Sequence, residues 1–154
     1  MKKRLVPAAA LGAVAAIGLA QVSSAADGAP SAARAAHARS APLHLTKECS
    51  AYAGLADQHC TITSSNVRAI PVGSRVVYLE GANGTSLASD IVVVVGRGQY
   101  ALGRVTVDLA HGTGRVTLSG GAGRFRSFHA RAAISPLGGV NFAWDGTYRM
   151  GHGH

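Results

Sequence analysis

From Cys60 to Met150 a turn signal recurs roughly every ten residues, and the stretches between turns are β-branched or alternate apolar with polar. The breaks fall at Ser64-Ser65-Asn66, Ile70-Pro71-Val72-Gly73, Gly81-Ala82-Asn83-Gly84, Gly96-Arg97-Gly98, His111-Gly112-Thr113-Gly114, Gly120-Gly121-Ala122-Gly123 and Pro136 to Gly139. Between them, Cys60 begins a short strand, Arg75 to Glu80 alternates, and Asp90 to Val95 holds five β-branched residues in a row. Tyr100 to Leu109 places Ala101, Gly103, Val105, Val107 and Leu109 on one face, and Leu102, Arg104, Thr106 and Asp108 on the other. Arg115 to Ser119, Phe125 to Ile134 and Val140 to Met150 complete the set. Seven or eight short strands without an amphipathic helix predict an all-β domain, either an antiparallel barrel or a β-sandwich. Closure removes the edges that Val-rich strands cannot safely leave open, which puts the barrel first and the sandwich second.

The chain begins differently. Lys2, Lys3 and Arg4 precede an uncharged apolar run from Leu5 to Ala20, followed by small residues ending Ser23-Ser24-Ala25-Ala26. That order predicts a signal peptide over residues 1–26, with cleavage near Ala25 or Ala26. The run is shorter than the roughly 20 apolar residues a spanning helix needs. There is no Arg-Arg pair for the twin-arginine route and no Cys for a lipid anchor, so the expectation is general secretion to the extracellular side. No second long apolar stretch follows, so no transmembrane segment is expected after cleavage. Residues 27–44 are rich in Ala, Pro and Arg and poor in large apolar side chains, the composition of a disordered leader. The barrel domain is expected over 45–151, with a flexible tail at 152–154.

The formal net charge of +8 falls to +5 without the first 26 residues, with twelve basic against seven acidic side chains. The arginines are scattered singly, without a basic run or interleaved aromatics, so no nucleic-acid partner is expected. Cys49 and Cys60 are the two cysteines, and in an oxidising compartment the pair reads as a structural disulfide. Its closed loop of 12 residues predicts about 3 kcal/mol of stabilisation. The histidines lack metal-ligand spacing in any strand, and the terminal His152 and His154 read as a frayed tail, so neither a metal nor a cofactor is expected.

The segments Gly103-Arg104-Val105-Thr106-Val107-Asp108-Leu109, Ser119-Gly120-Gly121-Ala122-Gly123-Arg124-Phe125 and Phe142-Ala143-Trp144-Asp145-Gly146-Thr147-Tyr148 resemble the allene oxide cyclase barrel-like and dirigent-like group. The similarity spans roughly Cys60 to Arg149 and is nearest to a secreted bacterial branch. It implies a single eight-stranded antiparallel β-barrel with a lumen, of the kind that holds reactive hydrophobic intermediates in plant relatives. The matching residues are glycines, aromatics and turns, so no catalytic role is carried over.

Candidates for chemistry are the charged residues inside strands. Arg104 and Asp108 share a face four residues apart. In a lumen they would be an acid–base pair; on the outer wall they would be solvated charges. His129 and Asp145, in the last two strands, are a candidate base and its orienter, or a structural hydrogen bond. The Gly120 to Gly123 run reads as a hairpin turn rather than an anion cradle. Three functions follow. The first is binding of a small apolar or amphipathic molecule in the lumen. The second is an isomerase or cyclase using a lumen acid or base. The third is an extracellular protein-interaction module with a filled lumen and an exposed apolar patch. The oligomeric state has no legible signal.

Overall fold

The computed structural model describes residues 40–151, so the expected signal peptide, most of the leader and the tail at 152–154 lie outside the described residues. The alternating segments form eight strands, β1 (Ala41–Glu48), β2 (His59–Ser65), β3 (Arg75–Tyr78), β4 (Ser86–Gly96), β5 (Gln99–Asp108), β6 (Thr113–Ala122), β7 (Phe128–Gly138) and β8 (Asn141–Met150). Each pairs antiparallel with the next, and β1 pairs with β8 from Ala41↔Tyr148 to Glu48↔Asn141. The sheet is therefore a closed meander barrel, not a sandwich. Among the described residues no helix is long and apolar enough to cross a membrane.

Period-two alternation decides what fills the lumen. Leu43 and Leu45 of β1, Ile62 of β2, Val76 of β3, Leu87, Ile91 and Val93 of β4, and Val105 of β5 point inward and are almost wholly buried. On the later strands small inward residues, Ala101, Gly103, Ala130, Ala132 and Gly146, make room for Trp144, Phe128 and Tyr148. The end of the barrel served by the β2–β3, β4–β5 and β6–β7 connections is plugged. Phe125 packs edge-on against Phe128 with centroids 5.4 Å apart, and Val67 and Ile70 fold in from the β2–β3 loop.

Strand boundaries differ from the sequence expectation: β4 begins at Ser86 rather than Asp90, β6 covers Thr113–Ala122 rather than Arg115–Ser119, and two further differences shape the barrel's seam and its plugged end. Residues 41–44 belong to β1, not to the leader, because Leu43 and Leu45 alternate with His44 and Thr46 and supply the strand that closes the barrel. The Gly120 to Gly123 run is not itself the hairpin. β6 continues through Gly120, Gly121 and Ala122, and the chain turns in a short 3₁₀ segment, Gly123–Phe125, that drops Phe125 into the barrel end. β7 consequently starts at Phe128 rather than Phe125. Gly121 can extend the strand because a Cβ there would overlap the backbone of Tyr100 and Ala101.

Gly146 of β8 sits against the backbone of β7, where a Cβ would overlap Arg131 O and lie 2.6 Å from Ala132 Cα. Gly146→Ala is expected to cost about 2 kcal/mol or more through overpacking, lowering the thermal midpoint by roughly 10 °C. Gly96→Ala, at a position with nothing within 4 Å of the new atom, should leave the midpoint nearly unchanged. Equal midpoints for the two variants in thermal denaturation would contradict the close approach of β7 and β8.

Candidate functional site

The inward face of β1 reads Leu43, Leu45, Lys47 and then Cys49, so the alternation that buries two leucines also drives a lysine into the lumen. The β1–β2 register shifts between Thr46 and Lys47, an irregularity of the kind that re-aims side chains beside functional sites. Lys47 is 4% exposed. Its Nζ donates to Tyr78 Oη at 2.5 Å and lies 3.6 Å from the Sγ atoms of both Cys49 and Cys60. The two sulfurs form a disulfide with Cα atoms 4.2 Å apart. The rings of Tyr78, Phe142 and Trp144 surround Nζ, with centroids at 5.2, 5.2 and 5.5 Å.

Tyr52 covers this group from the β1–β2 loop, its ring 4.6 Å from that of Tyr78. The loop is held in place by its own polar contacts. Ala53 and Leu55 donate backbone N–H groups to Gln58 Oε1, and Gly54 O accepts from Ala82 N of the β3–β4 connection. Between the tyrosines, Leu87, Val107, Leu109, Ile134 and Phe142 lies a cavity of about 40 Å³ with Lys47 in its wall. That is room for one or a few water-sized groups. Most of the remaining lumen is occupied by side chains.

None of the ion pairs among the described residues includes Lys47. Burial disfavours the ammonium and the three aromatic faces favour it. Burial wins, pulling the amine down from 10.5 to about 7. That displacement corresponds to a cost on the order of 5 kcal/mol for the charged form. The same burial, with Tyr52 nearby, pushes the Tyr78 phenol well above its ordinary value. Among the described residues, Tyr52 Oη and Trp144 Nε1 are buried without a hydrogen-bond partner, which is uncommon for buried polar atoms.

The sequence-derived candidates lie elsewhere. Arg104 and Asp108 do share a face, but it is the outer wall. Arg104 pairs with Asp90 at 2.8 Å, and Asp108 pairs with His111 at 2.7 Å. The His111 hydrogen bond holds the Asp108 carboxyl below its ordinary value, and Asp108 in turn raises His111. His129 and Asp145 are not brought together. His129 sits opposite Arg149 and 3.4 Å from Ser119 Oγ, while Asp145 bonds His44 at 2.8 Å across the β1–β8 seam. A depression of about 400 Å³ beside His129 lies on this outer wall and is lined by Thr117, Ser119, Arg131 and Arg149. Among the described residues no group of three or more His, Cys, Asp or Glu side chains is placed to hold a metal.

Lys47 carries a signal in the sequence that charge counting passes over. It is the only lysine after residue 3, in a stretch that uses arginine for every other basic position, and it falls on the apolar phase of Leu43-x-Leu45-x-Lys47-x-Cys49. Comparison with protein-family models, with characterised proteins and with solved structures finds no match.

Two stability predictions follow from this geometry. Lys47 binds its proton more weakly in the folded state than in the unfolded one, so its cost is complete below about pH 7 and disappears as pH rises toward 10.5. Between about pH 7 and pH 9.5 the wild-type chain should therefore gain roughly 3 kcal/mol relative to Lys47→Met. Chemical denaturation of both across that range checks this, and parallel profiles would refute it. Separately, reducing Cys49–Cys60 should cost about 3 kcal/mol. An unchanged thermal midpoint after reduction would show that the bond contributes nothing.

Proposed function

We propose that this chain is an exported β-barrel protein that binds a small amphipathic molecule, or the end of one, at the Lys47 end of its lumen. The observation that carries the reading is a buried lysine that pairs with no carboxylate among the described residues, in the wall of an apolar cavity. Buried charges are ordinarily paired, and a small-molecule site is ordinarily apolar with a few convergent polar groups. The rim supports the same end. Exposed Leu55, Leu79, Leu109, Leu137 and Val140 all lie on or beside the four connections that surround this mouth, whereas Val72 and Tyr100 belong to the opposite end and Leu102 to the outer wall. An apolar rim would receive the apolar part of a ligand while its polar end reached Lys47 and Tyr78.

Export is supported by the basic, apolar and small-residue order of residues 1–26 and by a disulfide that suits an oxidising compartment. Relationship to the allene oxide cyclase-like or dirigent-like group is part of the same proposal, supported by the eight-stranded barrel and its glycine and aromatic pattern. A cyclase would use Lys47 and Tyr78 as its lumen acid and base, in place of Arg104, Asp108, His129 or Asp145. A cavity of about 40 Å³ admits only a few heavy atoms, which favours binding of a small group over ring closure of a large substrate.

Trp144 is the sole tryptophan and its ring lies 5.5 Å from Lys47 Nζ, so its emission reports on the site. Titration with butanol, butanal and butyrate is expected to change that emission saturably for at least one of them, with the midpoint raised tenfold or more in Lys47→Met. Native mass spectrometry of protein secreted by its own host should show an added mass that is lost on denaturation. A bare mass together with flat titrations would overturn the binding reading in favour of a surface role.

A further inference from the structure

We propose that Lys47 is a reactive amine that captures a small aldehyde or ketone as a reversible imine, with Tyr78 as its proton partner. The inference rests on reading the Lys47 end as a small-molecule site and names the chemistry of its ligand. A carbonyl is a small acceptor at the end of an apolar body. The cavity has room for it beside Nζ, with Leu87, Val107, Ile134 and Phe142 left to meet the carbon chain.

The choice of lysine at this one position carries the argument. Eleven arginines follow residue 26, and a single lysine. Arginine is the better residue for a permanent cation, because its guanidinium does not deprotonate in proteins. Lysine gives up its proton readily when desolvated and then offers a nucleophilic lone pair. Its surroundings keep it so. The groups facing it are the phenols of Tyr52 and Tyr78, the oxidised sulfurs of Cys49 and Cys60, and apolar side chains of β4, β5, β7 and β8. The nearby acids Glu48, Asp108 and Asp145 stand on the opposite phase of their strands, and none of them pairs with Nζ. Burial alone therefore holds a large fraction of the amine neutral near pH 7.

The step balances without any further reagent. The Nζ lone pair attacks the carbonyl carbon and forms the C–N bond, and the carbonyl π electrons move to oxygen. That oxygen takes the hydroxyl proton of Tyr78, and the phenolate recovers a proton from the now cationic nitrogen. In the second half the nitrogen lone pair forms C=N, and the carbinolamine hydroxyl takes a proton from Tyr78 and departs as water. The nitrogen's last proton returns to the phenolate. One amine and one carbonyl become one imine and one water, with no change of oxidation state.

Reductive trapping tests this. The folded protein is incubated with butanal and cyanoborohydride near pH 7, and the intact mass and the modified peptide are determined. The expected result is one butyl addition, mapped to Lys47 and saturating with butanal. It should form at least tenfold faster than in the guanidinium-unfolded chain, where the same amine is almost wholly protonated. Lys47→Met should lose the addition while keeping its fold. Tyr78→Phe should slow it severalfold at the same site, guarding against a Met variant that fails to fold. Modification of the α-amino terminus alone, or of Lys47 no faster than in the unfolded chain, overturns the imine proposal. If Trp144 emission still responds saturably to butanol or butyrate in that case, the binding reading stands and only the covalent step falls. If neither response occurs, both fall.

Discussion

Closure of the sheet along the β1–β8 seam is the constraint on which the rest of the molecule depends. Eight consecutive pairs join Ala41–Glu48 to residues 141–148 of β8, and without them β1 and β8 would present two open edges. The same seam sets the contents of the lumen. Once β1 is docked against β8, strand alternation leaves Leu43, Leu45, Lys47 and Cys49 no direction but inward, facing Trp144 and its neighbours. The buried lysine is thus a consequence of register. A slip by one residue would put His44, Thr46 and Glu48 in the core and Lys47 in water.

Much of this was readable from the chain. Period-two alternation from Tyr100 to Leu109 separates the two faces of β5 but does not say which lines the lumen; the structure puts Ala101, Gly103, Val105 and Val107 inside, while Leu109, on the same phase, lies past the strand end and is exposed. The disulfide followed from two cysteines and their place in the chain, and the strand count from turn spacing. The errors have a common physical origin. Residues 41–44 look like leader because a strand of eight residues with one Pro, one His and one Thr is weak in isolation; only pairing with β8 makes it a strand. The Gly120 to Gly123 run looks like a hairpin because glycine marks both turns and close backbone approaches, and local sequence cannot separate the two.

The candidate site is hidden in the sequence for a different reason. Among the charged residues inside strongly alternating strands are Arg104, Asp108, His129 and Asp145, all of which have exposed or half-exposed partners on the outer wall. A solvated ion pair is the cheap way to place a charge on a barrel. The costly way is to bury one without a counter-ion, and that cost is what marks a site. Lys47 falls where the local sequence, with Pro42, His44 and Thr46 nearby, carries only a weak strand signal, so its inward phase becomes visible only once β1 pairs with β8. What identifies it is the pairing of two facts: apolar phase in β1 and the scarcity of lysine in an arginine-rich chain.

The disulfide and the lysine belong to one energetic argument. A cost on the order of 5 kcal/mol for the buried ammonium is comparable with the whole stability of a small domain. A chain carrying it needs local reinforcement. Cys49 directly follows β1, two residues from Lys47, and Cys60 is the second residue of the neighbouring strand β2. Their bond fixes the β1–β2 loop at the point where the strand ends and the mouth begins, contributing about 3 kcal/mol by restricting the unfolded chain. The sulfurs that supply this restraint also form part of the apolar wall 3.6 Å from Nζ, which keeps water away from the amine. Staple and desolvating wall are the same two atoms. The feature that makes the lysine reactive is therefore built from the feature that lets the barrel tolerate it.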